Sequence, residues 1–253
     1  MRWLLQAWHD EQRNVMLADE MGLGKTMQAI AFLKELMHTF KITRPFLIAV
    51  PLSTLENWRR EFKRWCPEAK VVVYQGKAKS REILQKLEFF FHLQSATGID
   101  IRVPSFNVML TSFDYLRSDF HEFARVEWQV FIVDEGQKMK NNNSLFFRKC
   151  MALKTHYKLL LSGTPLQNNV DELFNLMEFL DPVKFDASWR QYMLSLQTAN
   201  INQELKQKKP STEGPPKEAA KGAEKEREKG SANNPESIHS QKDEKKPEDE
   251  AKD

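Results

Sequence analysis

The sequence predicts an α/β fold: a mainly parallel sheet with helices on both faces, followed by a disordered, charged C-terminal tail. Three observations predict it. An apolar run enters a Gly-rich turn and leaves in a helix, a second apolar run ends in two adjacent carboxylates, and short Val/Ile/Leu-rich runs alternate with amphipathic stretches along the first 200 residues.

The Gly-rich turn lies in Met16-Leu-Ala-Asp-Glu-Met-Gly-Leu-Gly-Lys-Thr26. Gly22 and Gly24 let the main chain approach phosphate oxygens, with Leu23 between them. The helix that starts near Lys25 aims free N–H groups at the same place. Lys25 adds a point charge and the Thr26 hydroxyl is a ligand for Mg²⁺, so the turn reads as a P-loop cradle for nucleotide phosphates. The generic spacing G-x-x-x-x-G-K-[ST] would put glycine where Asp19 stands, so a second, independent element is needed. Gln129-Val-Phe-Ile-Val-Asp134-Glu135-Gly136-Gln137 is that element. Ligands of open α/β sheets bind beyond the carboxyl ends of strands. Asp134 is therefore assigned to Mg²⁺, and Glu135 to orienting or deprotonating the attacking water. The plain alternatives are a structural glycine turn and a solvated acidic loop; both elements in this order argue against them.

The remaining elements follow from periodicity. Runs at Val15–Ala18, Phe46–Val50, Val71–Tyr74, Val108–Leu110, Val130–Val133 and Leu159–Leu161 lack polar alternation, as strands buried on both faces do. Thr26–Phe40, Leu55–Trp65 and Glu172–Leu180 carry apolar residues at helical spacing. Strand-helix alternation implies right-handed β-α-β units. Trp58 and Trp65 share that spacing with Phe62, so core packing is expected for both rather than base stacking. Residues 90–105 hold no period and read as an insertion or loop.

From about Gln207 the aromatics vanish and Ile238 is the only large aliphatic residue left. Such a segment buries too little apolar surface to offset ordering entropy, which divides the chain into a domain at 1–205 and a disordered tail at 206–253. The last 47 residues carry 11 Lys+Arg against 12 Asp+Glu, and the preceding ones 27 against 23, or +4. A mixed-sign tail is neither a basic nucleic-acid arm nor an acidic mimic; it reads as a solvated linker or a docking segment. No apolar run approaches the roughly 20 residues of a membrane span, and the N-terminus lacks a secretory layout, so no membrane partner is expected and the cytosol or nucleus is. Cys66 and Cys150 have no paired spacing and read as ordinary thiols.

Asp19-Glu-Met-Gly-Leu-Gly-Lys-Thr26, Pro51-Leu-Ser-Thr-Leu-Glu-Asn-Trp58, Leu110-Thr-Ser-Phe-Asp114, Val133-Asp-Glu-Gly-Gln137 with Lys140-Asn141, and Leu161-Ser-Gly-Thr-Pro-Leu-Gln-Asn168 stand in one order. Together they resemble the first-lobe motifs of the Swi/Snf-type helicase-like ATPases, the motors of chromatin remodellers, over roughly residues 1–190. Lys140 to Arg148, Tyr157 to Leu161 and Val71 to Gly76 resemble the chromodomain-helicase branch in particular.

The resemblance implies a RecA-like lobe of an ATP-driven translocase on double-stranded DNA, usually on nucleosomes with their histones, and hence a nuclear protein. It implies phosphate and metal binding by Gly22 to Thr26, with Ser162, Thr164 and Gln137 coupling nucleotide state to DNA grip. It also implies DNA-backbone contacts from Ser53, Thr54, Thr111 and Ser112; such groups hold phosphates without reading bases. Read alone, those four hydroxyls fit turn and capping chemistry better. Gly136 and Gln137 depart from the alanine and histidine that many relatives carry, and glutamine cannot titrate near neutral pH. Gln6 stands too close to the phosphate turn to be the adenine-recognising glutamine. No second strand-helix series follows, nor the arginines it would bring to ATP, so the chain is expected to be half a motor needing a second ATPase lobe. The alternative is a truncated, non-hydrolysing nucleotide- or chromatin-binding module.

Overall fold

The computed structural model describes residues 2–94, 100–163, 170–186 and 188–195. The expected tail, Thr164 and the end of the motif that follows Ser162 lie outside them. Helix α1 (Arg2–His9) leads to β1 (Val15–Leu17), and the glycine turn opens α2 (Lys25–His38). Then follow β2 (Phe46–Val50), a 3-10 turn at Leu52–Thr54, α3 (Leu55–Trp65), β3 (Val71–Tyr74) and α4 (Ala78–Glu88). A hairpin of β4 (Phe90–Gln94) and β5 (Asp100–Pro104) precedes β6 (Val108–Ser112), α5 (Phe113–Ser118), α6 (Phe120–Ala124) and β7 (Trp128–Val133). A second 3-10 turn, Gly136–Met139, leads to α7 (Leu145–Met151), β8 (Thr155–Leu161) and α8 (Val170–Leu180).

The main sheet has the order β1-β8-β7-β2-β6-β3, and every pairing in it is parallel. Parallel strands need covering on both faces, and side-chain alternation supplies it. Phe46, Ile48 and Val50 of β2, with Val130 and Ile132 of β7, join a core against α1, α2 and α3. Leu47, Ala49, Phe131 and Val133 from the same strands join a second core with Leu116, Phe123, Phe147 and Phe179 of α5 to α8. A one-residue register slip would exchange the two sets.

The six expected strands all form, and several run longer than the apolar runs. Strand β6 continues through Thr111 and Ser112 because both pair with the end of β2, and β8 begins at Thr155, opposite Trp128. Residues 90–105 are not a plain loop. Phe91 pairs with Val103 in an antiparallel pair set apart from the main sheet, so the expected loop is corrected to two strands. Trp65 also departs from expectation. Trp58 and Phe62 are about 1% exposed, but Trp65 at the end of α3 is 38% exposed, and buried Cys66 takes the inner position after it. The Trp65 indole donates to Glu61 on its own helix, with the Arg64 guanidinium over its ring.

The short helices α5 and α7 form where serine caps allow: Ser112 and Ser144 accept hydrogen bonds from the amides of Tyr115 and Phe147. The C-terminal end of α8 is tied to the sheet. Asn14 donates to Leu180 O while its own oxygen accepts from the Lys158 amide, and the buried Lys158 ammonium donates to Phe179 O. Cys66 and Cys150 are buried free thiols, and among the described residues no helix is long and apolar enough to cross a membrane.

Candidate active site

Because the strands run parallel, their carboxyl ends line one edge, and the candidate residues fall there by strand position. The glycine turn follows β1, Ser162 and Gly163 follow β8, Asp134 and Glu135 follow β7, Pro51 to Thr54 follow β2, and Thr111 and Ser112 end β6. The nucleotide candidates occupy three adjacent strand ends, β1, β8 and β7. The DNA candidates occupy the next two, β2 and β6.

Gly22 and Gly24 have φ of +87° and +75°, a region that side chains disfavour, so the turn requires glycine at both. Gly24 caps α2 in this left-handed conformation. The Lys25 ammonium folds over the turn, donating to Asp19 O at 2.7 Å and Glu20 O at 2.8 Å. Asp19 is held through its side chain, whose Oδ2 accepts from Gln28 Nε2 at 3.1 Å. The residue that breaks the generic spacing is thereby fixed to the first turn of α2. Across the cleft, a Cβ on Gly163 would lie 2.8 Å from Met21 Cγ and 3.9 Å from Lys25 Nζ. The β8 loop thus runs close to the cradle, against the exposed Met21 side chain.

Asp134 is held from three sides. Its amide donates to Ala49 O at 2.9 Å, its Oδ1 accepts from the Glu135 amide at 2.9 Å, and its Oδ2 accepts from the Trp58 indole at 2.8 Å. Burial raises its pKa above the ordinary carboxylate value; the bonds from Trp58 and the Glu135 amide oppose that, the Glu135 charge adds to it, and Lys25 opposes it. A partly desolvated carboxylate facing a lysine suits a divalent cation, and the glycine cradle suits phosphates. The donor set therefore fits Mg²⁺ with a nucleotide triphosphate, Thr26 and Asp134 being the metal candidates.

Glu135 adopts φ 54°, ψ 60°, unusual for a residue with a Cβ and costing about 1–2 kcal/mol. Strain of this kind collects at functional sites. Its Oε2 accepts from Gln137 Nε2 at 2.6 Å. That fixes the amide orientation, since a carboxylate cannot receive from the amide oxygen. The Gln137 Oε1 is then buried with no hydrogen-bond partner. Gly136 packs against the end of β8: a methyl on it would meet Leu161 O and Ser162 Cβ at 3.4 Å, ordinary contact, so the alanine of relatives would also fit. Ser162 donates its amide to Leu17 O, closing β8 against β1 beside the cradle.

Three of the four expected DNA hydroxyls have partners within the fold: a turn, a neighbouring strand and a helix cap. Thr54 Oγ1 donates to Pro51 O at 2.9 Å, buried Thr111 Oγ1 donates to Tyr74 O at 3.3 Å, and buried Ser112 caps α5. Ser53 is exposed on the 3-10 turn. Gln6 is exposed on α1 and donates to Glu11. Two partners escaped sequence reasoning: Gln28, which holds Asp19, and Trp58, whose spacing signals core while its indole N–H reaches Asp134. Neither contact has a local signature, because each depends on an approach that only the folded chain creates.

Fold and site together define a RecA-like α/β lobe with its candidate chemistry along one strand edge. The profile of the SNF2-related domain matches residues 1–221, and the chain belongs to that family. It is 42% identical over 210 residues to Protein CHROMATIN REMODELING 4 of Arabidopsis thaliana, covering 81% of this chain and 9% of that protein. It is 41% identical over 208 residues to Chromodomain-helicase-DNA-binding protein 9 of Homo sapiens, covering 81% of this chain and 7% of that one. Among solved structures, the Sulfolobus solfataricus SWI2/SNF2 ATPase core in complex with dsDNA superposes with a TM-score of 0.58 at 29% identity, over 72% of this chain and 34% of that chain. The chain thus spans about a tenth of the length of these curated relatives.

Proposed function

We propose that this chain is the N-terminal ATP-binding lobe of an ATP-dependent chromatin-remodelling translocase, a nuclear motor acting on nucleosomal double-stranded DNA. The observation that carries the reading is the alignment of the cradle, the Ser162–Gly163 loop and the Asp134–Glu135 pair on the adjacent strand ends β1, β8 and β7. The names of the relatives and the DNA complex of the structural neighbour support the same assignment. Residues 1–205 are the lobe, and 206–253 a charged linker.

In this reading Gly22, Leu23, Gly24, Lys25 and Thr26 hold the phosphates, while Thr26 and Asp134 hold Mg²⁺. The metal, when bound, neutralises charge on the transferred phosphoryl group. Lys25 gives up its bonds to Asp19 O and Glu20 O in exchange for phosphate oxygens. Glu135 orients the attacking water. Gln137, with its amide nitrogen bonded to Glu135 and a buried, unpartnered oxygen, couples that carboxylate to Ser162 and Thr164. At β2 and β6 the occupied hydroxyls of Thr54, Thr111 and Ser112 shape the edge, and Ser53 with exposed amides meets the DNA backbone. A second lobe supplies the arginines that face ATP, and hydrolysis belongs to the pair.

Titrating labelled ATP with Mg²⁺ against the wild-type chain and Lys25→Ala tests the site. Weak binding that the substitution reduces about tenfold or more is expected, since a charge-assisted contact contributes about 1.5–3 kcal/mol. Equal affinities for both proteins would remove the cradle assignment.

A further inference from the structure

Trp58 is almost fully buried in the core beneath α3, 6.3 Å from the Phe62 ring centroid. An indole N–H is a donor only, and when buried it is satisfied by a fixed partner. Here the partner is not a main-chain carbonyl but Oδ2 of Asp134, 76 residues away in sequence and at 2.8 Å. The other carboxylate oxygen takes the Glu135 amide. With one donor on each oxygen, the rotation of the carboxylate about its own bond is fixed, and the remaining lone pairs have defined directions.

The origin of these restraints is as informative as their number. Ala49, which receives the Asp134 amide, ends β2; the exposed Leu52–Thr54 turn comes next, and Trp58 stands one turn into α3. One continuous segment thus holds both the main chain and the side chain of Asp134 while presenting its connecting turn to solvent, with Leu52 56% exposed. Trp65 provides the contrast on the same helix: it is 38% exposed and its indole donates to Glu61 of that helix.

We infer that Trp58 is a positioning residue for metal-nucleotide binding: its indole N–H sets the direction of the Asp134 carboxylate, linking it to the turn proposed to meet DNA. The inference rests on the nucleotide reading given above. Partners that orient a metal ligand contribute strongly to metal affinity although they never touch the ion. Trp58→Phe removes the N–H and keeps an aromatic ring in the core, which separates orientation from packing.

Anisotropy of ribose-labelled ATP, measured on the full chain with Mg²⁺ and again with EDTA, tests the inference. For Trp58→Phe the Mg²⁺-dependent gain in affinity should fall by about tenfold or more, with affinity in EDTA unchanged. Trp65→Phe should match wild type in both conditions. In an Asp134→Asn background, Trp58→Phe should add no further loss of the Mg²⁺-dependent gain, because the group it orients is already changed. A full Mg²⁺ gain in Trp58→Phe, an equal loss with and without Mg²⁺, or a fully additive loss on Asp134→Asn would each overturn the inference. If wild type and Lys25→Ala bind alike, the nucleotide reading fails instead; a normal Trp58→Phe beside an impaired Lys25→Ala removes the inference alone.

Discussion

At the residue scale, Asp134 shows how a site is assembled against its own environment. Burial favours the neutral acid, while the Trp58 indole and the Glu135 amide favour the carboxylate. The net shift is upward, so the proton leaves at a pH above the ordinary aspartate value, and in the proposed site a metal would compete with it. The Mg²⁺-dependent part of ATP affinity is therefore expected to weaken as pH falls from neutral toward that raised value, earlier than for an unshifted aspartate. Calorimetric titration across that interval checks it; a gain in affinity flat down to the ordinary aspartate value would contradict the shift. The glycine turn ahead of Lys25 was legible in the sequence because such a turn is local, a few residues between a strand and a helix. The Trp58 contact was not, because it joins two strand ends that only the parallel pairing of β2 with β7 makes neighbours.

At the scale of elements, the buried strands declared themselves by unbroken apolar runs, whereas Thr111 and Ser112 entered β6 only because β2 offered them partners. The hairpin at 90–104 was hidden for a related reason. Its strands pair with each other and not with the main sheet, apart from the parallel pairing that marks the other strands. Helix α8 is docked by Asn14 and by the buried Lys158, whose pKa burial lowers. A cation with a folded pKa below its unfolded 10.5 binds fewer protons when folded. Its contribution to stability therefore rises as pH climbs through the lowered value toward 10.5, and is least favourable below it. The difference in unfolding free energy between wild type and Lys158→Met should grow in favour of wild type across that alkaline interval. Denaturant unfolding at several pH values measures it; a difference independent of pH would show that Lys158 carries no such burden.

On the scale of the whole molecule, the order β1-β8-β7-β2-β6 puts the candidate nucleotide residues on the first three strand ends and the proposed DNA residues on the next two. The net charge of residues 1–206 is only +4, from 27 Lys+Arg and 23 Asp+Glu, so duplex binding should be sequence-independent and strongly weakened by salt. A dissociation constant no tighter than about 10⁻⁶ M near physiological salt is expected for one lobe. Anisotropy with unrelated duplexes at two salt concentrations decides it, and preference for one sequence would contradict backbone contact. The central claim is that these residues form one half of an ATP-driven motor whose chemistry is completed by a second lobe. ATP hydrolysis with and without duplex DNA, compared between this chain alone and the chain joined to a family second lobe, tests that claim most directly. The expected result is no DNA stimulation from the chain alone, and stimulation in the joined protein that Glu135→Gln abolishes. Robust DNA-stimulated hydrolysis by the isolated chain, or a joined protein indifferent to Glu135→Gln, would contradict it.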